Sequence, residues 1–154
     1  MLARPESDAA IPAARMERGA KIFAEKCQLC HQPSGQGAPP IYPPLANSDW
    51  FIKSRERVIK ALCEGLSGPI TVNGQDYSNV MPAQMLDDEQ VADVLTYVSN
   101  SWGNEQPAFT AEEVSAARAK TQFPTYAALL KSAEFQPLPA PPAGWSLREV
   151  VQLP

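Results

Sequence analysis

The chain has 154 residues, of which 44% are hydrophobic, and a formal net charge of −4, values usual for a globular domain rather than a disordered chain. Basic residues form no run that would suit nucleic acid or anionic lipid, so we expect no nucleic-acid partner. No apolar stretch approaches the roughly 18–20 residues that span a bilayer, so we expect no membrane span.

The first predicted element is a helix over residues 14–29, with charges on one face and an apolar stripe on the other. The stripe consists of Met16, Ala20, Phe23 and Cys27. In residues 32–49, repeated Gly and Pro exclude a long regular element. Helical periodicity returns over residues 49–65, and Gly65 is a natural stop. Because Ser54 could cap a second helix, this span is either one helix or two short ones.

A β-hairpin and a further helix complete the central part of the chain. Asn73-Gly74 supplies the two positive-φ positions of a type I′ turn, which predicts a small hairpin. The next helix is predicted from Asp87 or Asp88 to about Ser101, and its first turn is acidic, as the helix dipole favours.

The composition changes after Gly103. Thr110 and Glu113 have the spacing of a capping box and predict a helix, residues 124–135 predict a shorter one, and residues 136–145 are proline-rich. We therefore expect an N-terminal arm (1–13), a core domain (14–103) and a C-terminal extension (104–154). The aromatic residues of the extension either pack on the core domain or contact a partner.

The chemistry concentrates in residues 27–31, where Cys27, Cys30 and the single histidine, His31, lie together. These three residues are too close in sequence for a comfortable tetrahedral zinc site. A redox dithiol is expected after a strand and at the start of a helix, whereas this motif closes a helix. Covalent attachment of haem c explains the pattern, because two thioethers fix the macrocycle and the adjacent histidine becomes its proximal iron ligand. Cys63 is left over, and we expect a buried apolar residue there rather than a reactive thiol.

The loop that follows His31 is expected to orient it. A ligating imidazole needs an acceptor for its second ring nitrogen, and the carbonyl of Pro43 or Pro44 is our candidate. Trp50, at the end of this loop, is a further candidate cofactor contact.

The second axial ligand cannot be a histidine of this chain, so methionine, lysine or an open position remain. Met81 lies in an irregular stretch and is followed by a proline, which restrains the backbone. Met85 has the apolar spacing of a packing residue. We therefore favour Met81 as the ligand.

With these pieces, the chain resembles the class I c-type cytochromes. The resemblance rests on CQLCH at 27–31, PPLANSDW at 43–50, VMPA at 80–83 and VADVLTYVSNSW at 91–102. It implies an all-α class I cytochrome c fold with a small β-hairpin inserted before the distal methionine. More narrowly, LSGPITVNGQDYSNVMP at 66–82 is similar to haem domains fused to copper nitrite reductases and to cytochrome subunits of periplasmic dehydrogenases.

In this family the first and last helices cross, with a glycine and an aromatic residue of the first meeting an aromatic residue of the last. Gly19, Phe23 and Tyr97 stand at the matching places. A glycine inside a helix costs about 1 kcal/mol, which close approach of a second helix would offset. The alternative is that Gly19 is a tolerated surface glycine.

The predicted function is electron transfer through one covalent haem c with His31 and Met81 as axial ligands. We expect a carrier, or an electron-transfer subunit or domain of a periplasmic redox enzyme, rather than an enzyme. The alternative is a haem enzyme or ligand-binding haem protein with a labile distal site. The expected partner is a dehydrogenase or reductase, which residues 104–154 could contact.

Location is predicted from the family, whose members receive their haem outside the bacterial cytoplasm. We therefore expect an exported, periplasmic protein. The first residues lack the pattern of a signal peptide, so we expect that a leader has been removed or that the chain is cut from a longer precursor.

Overall fold

The computed structural model describes residues 10–120. Within them the chain forms helices and one two-stranded antiparallel hairpin, as predicted. In chain order these are α1 (Ala13–Lys26), α2 (Gln28–His31), α3 (Trp50–Lys53), α4 (Arg55–Glu64), β1 (Pro69–Val72), β2 (Gln75–Ser78), α5 (Asp88–Val98) and α6 (Ala111–Ala119). No helix in this part of the chain is both long and apolar enough to cross a membrane. The helix predicted over 124–135 and the proline-rich stretch 136–145 lie outside the described residues.

The predicted helix caps and the predicted hairpin turn are confirmed. The side chain of Ser54 accepts a hydrogen bond from the backbone N–H of Arg57 and begins α4, so residues 49–65 form two helices rather than one. Capping boxes begin α5 at Asp87 and α6 at Thr110. The hairpin pairs Val72 with Gln75 around Asn73-Gly74, whose φ angles of 51° and 78° are those of a type I′ turn.

Two predicted helix boundaries are wrong, each for a local reason. Cys27 leaves the helical conformation (φ −120°), so the helix expected over 14–29 is divided into α1 and α2. The helix expected to reach Ser101 ends at Val98. There the side chains of Asn100 and Ser101 donate to the carbonyls of Thr96 and Tyr97, so polar side chains replace the next turn of helix.

Helices α1 and α5 pack closely at Gly19, as the resemblance implies. Gly19 is buried, and a Cβ there would meet the backbone carbonyl of Asp93 and lie 2.6 Å from the Cβ of Tyr97. The ring of Phe23 lies 5.7 Å from that of Tyr97 and 5.0 Å from that of Trp102, within the range of favourable aromatic pairs. Gly19 is therefore a contact residue of the helix crossing, not a surface glycine.

A buried ion cluster joins the same two helices. Asp93, in the middle of α5, is only 3% exposed. Its carboxylate accepts from Arg15 Nε at 3.0 Å and from Arg18 Nε at 2.6 Å, both on α1. The charge of Asp93 is thus compensated across the interface, as a buried carboxylate requires.

The first part of the segment after residue 103 packs on the helices that precede it. Phe109 is fully buried and belongs to the same hydrophobic core as α4 and α5, together with Val114 of α6. Arg55 donates to both carboxylate oxygens of Glu113 at 2.8 Å, and its guanidinium lies 3.8 Å from the centre of the Phe109 ring. The predicted domain limit at residue 103 stays a prediction, but residues 109–117 share one core with the part before it.

Candidate functional site

An apolar cavity lies between the attachment motif, the proline loop, α4, the hairpin and α5. The space between its walls, counted together with its open mouth, is about 950 Å³. Its lining includes every residue that the sequence proposed for the site: Cys27, Cys30, His31, Pro43, Pro44, Trp50 and Met81. The fold thus brings residues that are more than fifty positions apart in the chain, such as Cys27 and Met81, to one cavity.

His31 ends α2 and is held in one orientation by the proline loop. The imidazole is 9% exposed, and its Nδ1 lies 2.9 Å from the carbonyl oxygen of Pro43. Since a carbonyl can only accept, Nδ1 carries the proton and Nε2 keeps a free lone pair. Burial lowers the pKa of His31, against a smaller opposing effect of the Pro43 hydrogen bond. The ring is therefore neutral at pH 7, which is the form that binds a metal.

The loop that carries Pro43 is itself fixed by backbone bonds. Gly37 donates to the carbonyl of His31 at 2.9 Å, and Leu45 and Ala46 both donate to the carbonyl of Gly35, at 2.7 and 2.8 Å. The side chain of Asn104 also donates to the carbonyl of Leu45 at 2.8 Å. The acceptor of His31 thus belongs to a loop that these hydrogen bonds hold closed.

Cys27 has the environment of a partly buried thiol rather than of a redox nucleophile. Burial, with a further contribution from Cys30, raises the pKa of Cys27 to about 11. A nucleophilic dithiol requires the opposite shift, because the thiolate is the reactive form. Among the described residues, no three His, Cys, Asp or Glu side chains cluster as a metal site would need, so the donor set of a zinc site is not assembled.

Met81 is the methionine that reaches the cavity. Its backbone N–H and C=O pair with those of Leu66, both at 2.9 Å, in an isolated bridge just after α4. Its side chain is partly buried against the core. Met85 is 96% exposed and, like Met16, does not line the cavity. The packing role predicted for Met85 is therefore wrong, because no neighbour covers its side chain.

Trp50 connects the cavity wall to the hairpin. It is 9% exposed, and its indole N–H donates to the carbonyl of Thr71 at 2.9 Å. The guanidinium of Arg57 lies 3.9 Å from the centre of the ring, within cation–π distance. The indole N–H is thus already paired, so Trp50 offers the cavity an apolar surface rather than a donor.

Sequence reasoning missed most of the apolar wall. It consists of Phe51, Val58, Ala61, Leu62, Leu66, Ile70, Val72, Val94, Leu95 and Val98. The alternation of Ile70 and Val72 in β1 was a period-two signal for one buried face, and the hairpin is therefore part of the cavity rather than only an insertion. Cys63 does not line the cavity. It is only partly buried against the core, not fully buried as expected, and this burial is the largest cause that raises the pKa of its thiol.

Comparison with known proteins decides the family. The cytochrome c family model matches residues 16–102, which include the attachment motif, the proline loop and Met81. The chain belongs to the cytochrome c family. As a member it binds covalently attached haem c with iron, and the predicted class I cytochrome c fold is confirmed. The two thiols, the neutral imidazole and the apolar cavity fit this cofactor, since all three residues line the same space.

The relatives of this cytochrome c include both a small cytochrome and subunits of larger enzymes. It is 42% identical over 116 residues to cytochrome c-552 of Thermus thermophilus, covering 69% of this chain and 88% of that protein. It is 29% identical over 104 residues to the cytochrome c subunit of a quinone alcohol dehydrogenase from Gluconacetobacter polyoxogenes, covering 65% of this chain and 22% of that subunit. The corresponding subunit of Gluconobacter oxydans is 28% identical over 93 residues.

Proposed function

We propose that this cytochrome c transfers electrons through a haem iron held by His31 and Met81. The observation that carries the proposal is the cavity, whose apolar wall includes both a buried, oriented imidazole and Met81. Lys26 also lines the cavity and carries a nitrogen that could bind iron. We favour Met81 over it because Lys26 is exposed at the end of α1, immediately before the attachment motif. The chain would thus supply one nitrogen ligand, from His31, and one sulfur ligand, from Met81, to the haem iron.

The protein contributes ligand chemistry and an apolar environment. When bound, haem c supplies an iron that alternates between the ferrous and ferric states. The Met81 thioether favours the ferrous state, and the aliphatic wall acts in the same direction because it disfavours the additional charge of ferric iron. Two protein ligands also leave no position for a substrate, so the site exchanges electrons and does not bind a reactant.

The protein works as a free carrier or as an electron-transfer subunit of a redox enzyme. The similarity to both cytochrome c-552 and dehydrogenase subunits supports either arrangement. Leu29, between the two attachment cysteines, is 88% exposed and marks the rim where a dehydrogenase or reductase would approach. Such redox encounters bury little surface and are brief.

A periplasmic location follows from the chemistry of attachment. Haem attachment to Cys27 and Cys30 needs reduced thiols and, in this family, takes place outside the bacterial cytoplasm. Expression with and without an export signal tests this proposal. Covalent haem, detected by mass after acid extraction, is expected only in the exported protein, and equal attachment in both would contradict it.

Ligation is tested by Met81→Ala, with Met85→Ala as the matched control. We expect oxidised M81A to lose the weak long-wavelength band of methionine-ligated haem, to bind imidazole readily and to have a lower reduction potential. M85A should keep the wild-type spectrum and potential, because Met85 is outside the cavity. If M81A keeps both, the ligand assignment fails. If the wild type itself binds carbon monoxide or imidazole tightly, the haem enzyme or ligand-binding function is favoured instead.

A further inference from the structure

Gly65, at the end of α4, is in contact with the segment that carries Met81. We call residues 81–84 the methionine strap. Gly65 has φ 78° and ψ 178°, a conformation essentially open only to glycine. An ideal Cβ at this position would lie 2.5 Å from the carbonyl oxygen of Met81 and 2.8 Å from the backbone nitrogen of Ala83. The strap thus occupies the space that a side chain at position 65 would need.

Backbone hydrogen bonds on both sides of this contact fasten the strap to α4 and to Leu66, two residues after its end. Leu66 and Met81 exchange two bonds of 2.9 Å, and Gln84 donates to the carbonyl of Leu62 at 2.9 Å. Leu62 is 5% exposed and belongs to the hydrophobic core. The position of Met81 is therefore set by the end of a core helix, although Met81 itself lies outside any helix or strand.

We propose that Gly65 is a positioning residue for the Met81 ligand, so that the identity of residue 65 determines how firmly the methionine sulfur stays on the iron. This inference rests on the proposed ligation by Met81. A methionine side chain is flexible, so the sulfur holds its place only if the backbone beneath it does. A Cβ at position 65 meets backbone atoms, which cannot rotate away, and the strap must move as a unit.

The chain provides a matched control in Gly68. It also has a positive φ, of 84°, but an ideal Cβ there meets nothing within 4 Å. Both substitutions to alanine strain the backbone, and only Gly65→Ala collides with the strap. In ferric G65A we expect a weakened methionine band, a lower reduction potential and imidazole binding about tenfold tighter, equivalent to about 1.4 kcal/mol of lost methionine anchoring. G68A should keep the wild-type values, and a G65A that matches G68A in all three would overturn the proposal.

A double-mutant cycle separates this inference from the proposed ligation. If M81A changes the spectrum and potential, adding G65A to it should change neither further, because no methionine is left to displace. A full G65A effect in the M81A background would overturn the positioning role while leaving the ligation intact. No effect of M81A alone would remove the ligation itself.

Should G65A fail to fold, hydrogen exchange of the wild-type holoprotein tests whether the anchored strap and the Met81 sulfur stabilise each other. If the anchored strap holds the sulfur on the iron, the sulfur must stabilise the strap by the same free energy. Saturating ferric protein with imidazole should therefore speed exchange of the amides of Leu66, Met81 and Gln84 about tenfold, whereas the hairpin amides of β1 and β2 should stay unchanged. Unchanged protection of the strap would overturn the proposal.

Discussion

Replacing Gly19 by alanine tests the contact on which the packing of α1 against α5 depends. The new Cβ would lie 2.6 Å from Tyr97 Cβ, whereas an ordinary contact begins at 3.4 Å, so this contact alone would require the two helices to separate by about 0.8 Å. It would also meet the backbone carbonyl of Asp93, which cannot turn aside. Overpacking of this kind costs about 1–3 kcal/mol, and the rigid backbone neighbour places the cost at the upper end. Alanine recovers about 1 kcal/mol of helix propensity, which leaves a net loss of about 2 kcal/mol.

Denaturant unfolding of the holoprotein, followed by far-ultraviolet circular dichroism, measures this loss. The exposed Ala24, on the same helix, provides the reference, because Ala24→Gly changes helix propensity without changing the contact with α5 and should cost about 1 kcal/mol. One substitution replaces glycine by alanine and the other replaces alanine by glycine, yet both should destabilise the fold. A G19A protein as stable as the wild type, or more so, would refute the close contact and leave Gly19 as a merely tolerated glycine.

Two further predictions concern ionic contacts between elements. Asp93→Asn removes the charge shared by two arginines of α1, one of them largely buried, and should lower the free energy of unfolding by about 2 kcal/mol; an unchanged unfolding midpoint would show that the cluster contributes nothing. Hydrogen bonding to Arg55 lowers the pKa of Glu113 from its ordinary 4.5, so this carboxylate stabilises the fold above pH 4.5, and the stabilisation disappears as the pH falls through the lowered value. Because Glu113 is partly exposed, the free energy of unfolding of the wild type should exceed that of Glu113→Gln by only about 0.5–1 kcal/mol at pH 7. A difference that grows in acid would contradict a stabilising ion pair between Glu113 and Arg55.

Signals confined to a few neighbouring residues were sufficient to predict local structure. Ser54 caps α4, Asn73-Gly74 turns the hairpin, and Thr110 begins α6, because each depends on bonds to residues at most three positions away. The helix end at Val98 was not predicted, since it depends on which carbonyls the polar side chains of Asn100 and Ser101 reach once the chain turns. Polar residues after a helix are compatible with either continuation or termination.

Long-range partners could not be predicted from the sequence. Asp93 lies among apolar residues of α5, and nothing in its neighbourhood indicates that two arginines more than seventy positions earlier compensate its charge. Phe109 gave a choice between packing on its own domain and contacting a partner, and only its full burial against α4 and α5 decides that choice. Hydrophobicity identifies residues that need covering but does not name what covers them.

The candidate site combines both kinds of information. Spacing alone identified the attachment motif, because Cys27, Cys30 and His31 act through adjacent positions on one turn. The proline after Met81 was enough for the sequence to favour Met81 over Met85, and in the structure one lines the cavity whereas the other is 96% exposed. The difference arises from the bridge between Met81 and Leu66, a contact across fifteen positions. The proline after Met81 favours an irregular backbone, but the end of α4 determines where that backbone lies, and therefore which methionine lines the cavity.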